Sequence, residues 1–189
     1  MNRQDALLDA AIRVLGSGGP RHLTHRAVDA EAGVPVGSTS NYFRTREALV
    51  DAVVARFVAL DREEWAAFGG ASGAAGGGAE DLVRALDGYV RHSVGPGRVR
   101  TLARYALFLE AASRPHLQRE LGGAAAGIVG WGVDWLRRLG YRESERHCRL
   151  VLDYLDGVVL HHLAYPDPAF DPVPGIQFVL GLRDAPAPH

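Results

Sequence analysis

Two short helical patterns meet at Gly33, and this junction constrains the fold more than any other feature of the chain. Thr24 can cap the first helix, whose apolar residues recur at helical spacing, and Gly33 permits the left-handed conformation that ends it. The second helix, about residues 36–43, is rich in small polar side chains, and Val34 packs the turn between the two. A polar helix that follows a capped helix across a glycine turn predicts a helix-turn-helix.

The second helix carries short hydrogen-bonding side chains that suit base edges and phosphates. These are Ser38, Thr39, Ser40, Asn41 and Tyr42. The same residue types also favour turns and caps without any ligand, so a helical hairpin with a solvated polar face is the alternative. The flanking patterns favour DNA binding. An amphipathic helix over residues 6–15 precedes the pair and a long helix that Thr45 can cap follows it, in the order that a three-helix DNA-binding head requires.

Residues 33–49, GVPVGSTSNYFRTREAL, resemble the recognition-helix signature of TetR-family transcriptional regulators. The matching features are the glycine-valine turn, the small polar helix, the aromatic-Phe pair at its end, a basic residue and an acidic-Ala-Leu helix start. Family members usually carry two further aromatic residues where this chain has Ser40 and Asn41. The resemblance also implies that Arg46, at the start of the following helix, lies beside a DNA phosphate.

The chemistry of the helix and the resemblance together define the expected DNA-contacting residues. They are Thr24, His25, Arg26, Val36, Ser38, Thr39, Ser40, Asn41, Tyr42, Arg44 and Arg46. The whole chain has a net charge of -1 and therefore no strongly basic field, so DNA binding depends on where these arginines lie. We expect binding to be sensitive to salt.

The chain of 189 residues is long enough for a small head and a larger core-bearing domain. Helical periodicity resumes after a glycine- and alanine-rich segment near residues 69–79, and no β-alternating run is present. The sequence therefore predicts an all-α fold, with a helix-turn-helix DNA-binding domain at residues 1–48. Residues 49–189 form the helical domain that the resemblance assigns to effector binding and dimerisation. The glycine-rich segment is expected to be a flexible loop.

Composition bears on where the protein resides and on whether it can form disulfides or cysteine metal sites. With 47% apolar and 23% charged residues the chain has the balance of a soluble globular protein, and no apolar run reaches the roughly 20 residues that a membrane span needs. Its first residues are amphipathic and include acids where a signal peptide has an apolar core, so we expect a cytoplasmic protein with no membrane partner. A single cysteine, Cys148, excludes an internal disulfide and a cysteine-based metal cluster.

The resemblance implies a pocket for a small-molecule effector in the second domain. The residues expected to line it are Tyr89, Arg104, Tyr105, Phe108, Trp131, Trp135 and Tyr154. Aromatic residues at helical spacing are more often plain core, which is the alternative for each. Five glycines within residues 122–132 indicate either space for a ligand or close helix packing, and close packing is the preferred interpretation.

TetR-like proteins typically dimerise through their two C-terminal helices as a four-helix bundle, and the resemblance puts those helices at about residues 145–163 and 176–182. The expected interface residues are Leu155, Val158, Val159, His162, Phe178 and Val179. The alternative is that both helix faces are filled within one monomer. A homodimer gives the two heads the two-fold symmetry of a palindromic operator.

These features predict a one-component transcriptional regulator, a homodimeric repressor that binds a palindromic operator on double-stranded DNA and is released by a small-molecule effector, with no cofactor. A TetR-like protein that is constitutive or controlled by a protein partner is one alternative. A helical-bundle enzyme is another, but the histidine spacing is against it. His161 and His162 are adjacent and point to different helix faces, and His147 lies fourteen residues before His161. We therefore expect no catalytic residue and no metal site.

Overall fold

The computed structural model describes the backbone of residues 2–71 and 77–182, and the side chains in these ranges except those of residues 64–71. Its helices are α1 (Arg3–Gly18), α2 (His25–Glu31), α3 (Ser38–Tyr42), α4 (Arg46–Ala71), α5 (Ala79–Val94), α6 (Arg98–Ala111), α7 (Pro115–Arg138), α8 (Ser144–Ala164) and α9 (Val173–Val179). The described residues contain no strand, so the predicted all-α fold is confirmed. None of the described helices is long and apolar enough to span a membrane.

The polar helix α3 is shorter than the expected range of residues 36–43. Its N-cap is Gly37, which has a left-handed backbone with φ 96°, and Ser38 donates its backbone N–H to the Pro35 carbonyl. Because this turn occupies residues 35–38, helical geometry begins only at Ser38.

Two other boundaries also differ from the prediction. α4 continues through Ala71, so residues 69–71 of the expected flexible loop are helical, whereas residues 72–76 lie outside the described residues. α9 begins at Val173 instead of Ile176, because a proline on each side of Val173 fits the first turn of a helix, where no intrahelical N–H bond is lost.

The chain divides into two compact units. The first comprises Met1–Glu64 and Gly97–Ala125, and the second comprises Trp65–Pro96 and Ala126–His189. Helix α6 therefore belongs to the unit of the N-terminal helices, although α5 precedes it in sequence.

Side-chain caps and a shared apolar core build the first unit. Thr24 and Thr45 each accept a backbone N–H three residues later, at 3.2 and 3.0 Å, so both predicted caps are confirmed. The helices then bury one continuous cluster, which includes Leu7, Leu15, Leu23, Val28, Phe43, Leu49, Val53, Phe57, Leu107 and Leu117. Leu49, Val53 and Phe57 bring α4 into this core, and Leu107 brings α6 into it.

Within the first unit, α1 and α6 pack backbone to backbone. A Cβ atom added to Gly16 would lie 1.9 Å from the carbonyl oxygen of Val99, so only glycine fits at this contact. The close approach brings α6 against the helix that also supports α2.

Substitutions of two glycines should have opposite effects on stability. Gly16→Ala forces a methyl group into the Val99 backbone, and we expect it to cost about 1–3 kcal/mol of unfolding free energy. Gly130→Ala, on an exposed face of α7 where an added Cβ meets nothing within 4 Å, should stabilise the chain by up to about 1 kcal/mol through helix propensity. Urea unfolding measures both. A loss at Gly130 would mean that another chain covers that face in solution.

A buried ionic cluster joins α4 to α6 in the first unit. Asp61 is 6% exposed and accepts a hydrogen bond of 2.5 Å from Arg104, while the Arg100 guanidinium lies 3.9 Å from the same carboxylate. Both guanidinium groups also lie over the ring of Phe57, at 5.6 and 5.9 Å from its centroid. The carboxylate is therefore held among cations inside the unit.

The second unit packs α5, α8 and α9 together. Tyr154 of α8 lies against α9 at Gly175, where a Cβ would approach the tyrosine hydroxyl to 1.8 Å. Trp135 of α7 is buried and donates its indole N–H to the Gly77 carbonyl at 3.0 Å, which holds the residues just before α5. His147 also lies 2.9 Å from the Val179 carbonyl oxygen through its Nε2 atom, so α9 is tied to α8 at its C-terminal end as well.

Candidate functional site

The turn between α2 and α3 has the two left-handed glycines that its path requires. Gly33 has φ 66° and follows α2, and Gly37 has φ 96° and precedes α3. The Val34 N–H returns to the Asp29 carbonyl at 3.0 Å, which satisfies one of the free carbonyls at the end of α2. The predicted glycine turn is therefore present.

Asp29 of α2 fixes α3 in its position. Its carboxylate is 1% exposed and accepts three hydrogen bonds, from the N–H of Gly37 (2.7 Å), the N–H of Thr39 (2.7 Å) and the hydroxyl of Thr39 (2.5 Å). Burial alone would raise the pKa of this carboxyl, but the bonds from Thr39 and Gly37 together outweigh it and hold the pKa below its usual range. Asp29 thus takes the place of the missing side-chain cap at Gly37.

A second link ties α2 to the far end of α3. The Nε2 atom of His25 lies 2.6 Å from the carbonyl oxygen of Phe43, and the Phe43 ring is buried in the core of the first unit. Because a carbonyl only accepts, His25 donates here. Helix α3 is five residues long and would not persist alone, so these contacts at both ends make the helix pair rigid.

Most of the predicted DNA-contacting residues are exposed. Those left open to solvent are Thr24, Arg26, Val36, Ser40, Asn41, Tyr42 and Arg44. Val36 is 80% exposed and Tyr42 is 48% exposed, which is unusual for large apolar and aromatic residues and is typical of a surface that is covered by a partner. We call these seven residues the α3 surface.

Four predicted contacts already have hydrogen-bond partners within α2, α3 and the turn between them. Thr39 is fully buried and its hydroxyl is bound to Asp29, so a base contact from this side chain is not supported. His25 faces the Phe43 carbonyl, as described above. The hydroxyl of Ser38 donates to the Pro35 carbonyl at 2.6 Å, and that of Ser40, although exposed, donates to the Gly37 carbonyl at 2.9 Å. Thr39 is buried because one face of a short helix must pack on its support.

Arg46, which is expected to contact a phosphate, forms an ion pair with an acidic residue of the first unit. Its guanidinium donates to Glu110 of α6 at 2.8 Å and to the Pro20 carbonyl at 3.4 Å, and Glu110 also pairs with Arg114 at 3.2 Å. A phosphate would therefore have to compete with Glu110 for Arg46. The sequence contains no local signal for this pairing, because Glu110 lies 64 residues away from Arg46.

Sequence reasoning missed Asp29, although a weak signal for it was present. Asp29 lies four residues after His25 and three before Ala32, so it occupies the helix face that turns toward α3. An acid at such a position indicates that hydrogen-bond donors lie opposite it. Only the tertiary structure identifies these donors, which belong to Gly37 and Thr39.

The second unit contains a cavity of about 30 Å³ between α5, α7, α8 and α9. Its wall consists of Leu82, Leu86, Ile128, Trp131, Gly132, Leu136, Cys148, Val151, Leu152, Leu155 and Leu180. Drug-sized ligands occupy pockets of about 300–1,000 Å³. The cavity therefore has the apolar chemistry of a ligand site but must expand to admit a ligand.

Only one of the seven predicted ligand residues lines this cavity. Trp131 is in its wall, whereas Trp135 packs behind it with the two rings edge to face at 5.1 Å. Tyr154 lies against Gly175 instead, where burial raises the pKa of its hydroxyl. The other four predicted residues, Tyr89, Arg104, Tyr105 and Phe108, are not part of this wall, and the last three belong to the first unit. Periodicity located the helices but not the direction of these side chains.

The predicted dimer residues divide into buried and exposed groups. Leu155 and Val159 are each 1% exposed in the single chain, so they are filled within the monomer and the prediction for these two is not supported. Phe178 is 69% exposed, while Val158, His162 and Val179 are half-buried. His162 stacks on Phe170 with the ring centroids 4.0 Å apart.

The glycine-rich part of α7 does not pack as expected. A Cβ added to Gly122, Gly123, Gly127 or Gly130 would meet nothing within 4 Å, so close packing within the chain is wrong for these four. It is correct for Gly132, where a Cβ would lie 2.8 Å from the Cys148 sulfur. The described residues contain no group of three or more His, Cys, Asp or Glu side chains placed to hold a metal ion.

Two family models match the chain. Residues 7–53 match the model described as bacterial regulatory proteins, tetR family, and residues 77–180 match the Tetracyclin repressor-like C-terminal domain. The first match covers the helix-turn-helix and the second covers α5 to α9. A search of curated proteins returned no significant match.

Solved structures are similar over nearly the whole chain. Multidrug binding protein EbrR in complex with imidazole is 29% identical, with 99% of this chain and 98% of that chain covered and a TM-score of 0.68. A TetR-family member from Streptomyces coelicolor A3 is 30% identical, with 96% and 98% covered and a TM-score of 0.66. A transcriptional regulator from Pseudomonas aeruginosa PAO1, 23% identical with 95% and 87% covered and a TM-score of 0.72, shares the fold.

Proposed function

Because the chain belongs to the TetR family of DNA-binding transcriptional regulators, which are not enzymes, we propose that it is a repressor. In this proposal it binds a palindromic operator as a homodimer, and a small molecule releases it from the DNA. The observation that carries this proposal is the α3 surface, which Asp29 and His25 hold rigidly while Val36 and Tyr42 remain exposed. A preorganised helix loses little entropy when it enters the major groove.

The α3 surface divides by chemistry into two groups. Arg26, Arg44 and Tyr42 carry charge or a hydroxyl at the end of a long side chain and are proposed to hold phosphates. Ser40, Asn41 and Val36 are short and are proposed to meet base edges, Asn41 through paired hydrogen bonds and Val36 through apolar contact. Thr24 already accepts a backbone N–H at 3.2 Å, and its hydroxyl hydrogen is left for a phosphate.

Arg46 is proposed to exchange Glu110 for a phosphate when DNA binds. Glu110→Gln removes the competing charge, so we expect DNA affinity to rise about 5-fold, equivalent to about 1 kcal/mol, with a steeper salt dependence. Arg46→Gln should lower affinity for every operator. Fluorescence anisotropy at several salt concentrations measures both effects.

The matched control for Glu110→Gln is Glu80→Gln, which changes net charge equally at an exposed position of α5. It should leave DNA affinity within about 2-fold of wild type, as for an isolated surface charge. If Glu110→Gln lowers stability without raising affinity, Arg46 is a structural residue and has no phosphate role.

The dimer is proposed to form through exposed apolar residues of α8 and α9. Leu160 is 49% exposed and Phe178 is 69% exposed, and an added Cβ at Gly157 would meet nothing within 4 Å, so α8 can approach another helix closely there. Helix pairs from two copies would bury these residues in a two-fold symmetric contact. Such a dimer presents two α3 surfaces to successive major grooves about 34 Å apart.

Effector release is supported by the relatives and by the apolar cavity. EbrR was solved with ethidium, in a structure 29% identical to this chain with 96% of it covered and a TM-score of 0.68. A ligand that expands the cavity would favour one dimer conformation over another, and DNA is released if the favoured conformation no longer matches the groove spacing. A regulator without any ligand is the second candidate, because the cavity measures only about 30 Å³.

Selection of duplexes from a random library at near-physiological salt tests the proposal, with oligomeric state measured in the same buffer by light scattering. Enrichment of a palindrome by a dimer supports it. A monomer, or enrichment of a non-palindromic site, contradicts the dimer model. A reporter gene under the selected operator then separates repression from activation.

A further inference from the structure

The cavity in the second unit has no charged side chain in its wall. Apart from Trp131, Gly132 and Cys148, the wall consists of aliphatic side chains. The Cys148 thiol donates to the Val129 carbonyl at 3.7 Å, and burial raises the pKa of the thiol, so it remains uncharged at neutral pH. No carboxylate is available in the wall to pair with a cation.

The low polarity of the cavity also makes water an unfavourable occupant. A volume of about 30 Å³ would hold a water molecule, but a buried water needs two to four polar partners and apolar cavities stay dry. The aliphatic side chains, which form most of the wall, offer none of these partners. The space is therefore best filled by apolar atoms.

A cation would lose its hydration shell in this cavity, and no carboxylate in the wall would compensate for the loss. Burying an unpaired ion carries a large desolvation penalty, whereas each apolar carbon that leaves water makes the free energy of binding more favourable. We propose that the effector of this cavity is a small uncharged apolar molecule, of about the size of one hydrocarbon ring, and that cations of the same shape are excluded. This inference rests on the proposed effector role of the same site.

The wall also shows where such a molecule enters. Ile128, Trp131 and Leu152 are half-buried and form the rim, whereas Leu155 and Leu180 are each 1% exposed and form the floor. An engineered cavity of about 150 Å³ holds benzene, so opening at this rim is needed for a one-ring ligand. Rim opening widens the site toward solvent without disturbing its floor.

Toluene and benzylammonium, which differ mainly in charge, form a matched pair of probes. Titration calorimetry and thermal unfolding of the full chain should show that toluene binds and raises Tm, and that benzylammonium binds at least about 100-fold more weakly, since each tenfold corresponds to about 1.4 kcal/mol. Equal binding of both probes, tighter binding of benzylammonium, or no binding of toluene would overturn the inference.

Leu152→Glu places a carboxylate at the rim and should reverse the preference between the two probes. Its control is Leu150→Glu on the same helix, where the side chain is 51% exposed and outside the wall, and the preference should persist. Gly132→Ala provides a second test. The added methyl group would lie 2.8 Å from the Cys148 sulfur and fill the space, so toluene affinity should fall at least about 10-fold.

The same probes separate this inference from the proposed function. If toluene binds as expected but does not release the selected operator, the ligand class stands and effector release fails. If benzylammonium or ethidium binds at the cavity and releases the operator, the regulatory proposal stands and the inference about charge is wrong.

Discussion

Asp29→Ala should abolish specific DNA binding, with an affinity loss of at least about 100-fold. The buried carboxylate accepts three hydrogen bonds from Gly37 and Thr39, and bonds to a charged group contribute about 1.5–3 kcal/mol each. Because these bonds are not additive, we expect a total loss of about 3 kcal/mol or more. Without them the five-residue α3 has no N-terminal anchor, so the α3 surface is no longer preorganised.

The control for Asp29→Ala is Glu31→Ala, which removes an acid two residues later on the same helix. Glu31 pairs with Arg13 at 2.6 Å, but their side chains are 40% and 50% exposed, so its loss should change stability by no more than about 1 kcal/mol. Operator titration and the hydrogen exchange of the α3 amides measure the difference. Equal effects of the two substitutions would show that Asp29 does not anchor α3.

Asp29→Asn should remove a pH-dependent part of the stability. The pKa of Asp29 is lowered in the folded chain, so its contribution is fully present above the unfolded pKa of about 3.9 and is lost as pH falls through the folded pKa. The difference in unfolding free energy between wild type and Asp29→Asn should therefore be constant near neutral pH and shrink below about pH 4. A difference that grows as pH falls would contradict this assignment.

Asp61→Ala should be the most destabilising single substitution in the first unit. It leaves Arg104, whose side chain is 13% exposed, without its buried carboxylate, and breaking such a pair from one side costs about 3–5 kcal/mol. The nearby Arg100 guanidinium loses the same carboxylate. Urea unfolding at neutral pH measures the loss, and DNA affinity should fall only as far as the folded fraction does.

Two further variants test whether burial of charge is the cause. Asp51→Ala, on the same helix, breaks an exposed pair with His116 and should cost no more than about 1 kcal/mol. Asp61→Ala combined with Arg104→Met should be more stable than Asp61→Ala alone, because the second substitution removes the buried charge that Asp61 neutralises in the wild type. If the double variant is less stable, packing and not charge dominates at this site.

The sequence by itself determined the helical class, the threonine caps and the helix-turn-helix with its glycine turn. Thr24, Gly33 and Thr45 act through their own backbone neighbours, and hydrogen bonds or φ preferences across three or four residues are legible in a linear pattern. The all-α class and the TetR family follow from the same local regularities, because helical periodicity and the signature at residues 33–49 require no knowledge of distant contacts.

Only the tertiary structure decided which way the side chains point. Thr39 and Asn41 are both short polar residues of α3, yet Thr39 is buried against Asp29 whereas Asn41 is exposed. The difference arises because only one face of α3 packs against α2. Arg46 meets Glu110 across 64 residues, and Trp131 lines the cavity while Trp135, one helical turn away, lies behind it. Such pairings depend on the packing of separate helices, which periodicity alone does not specify.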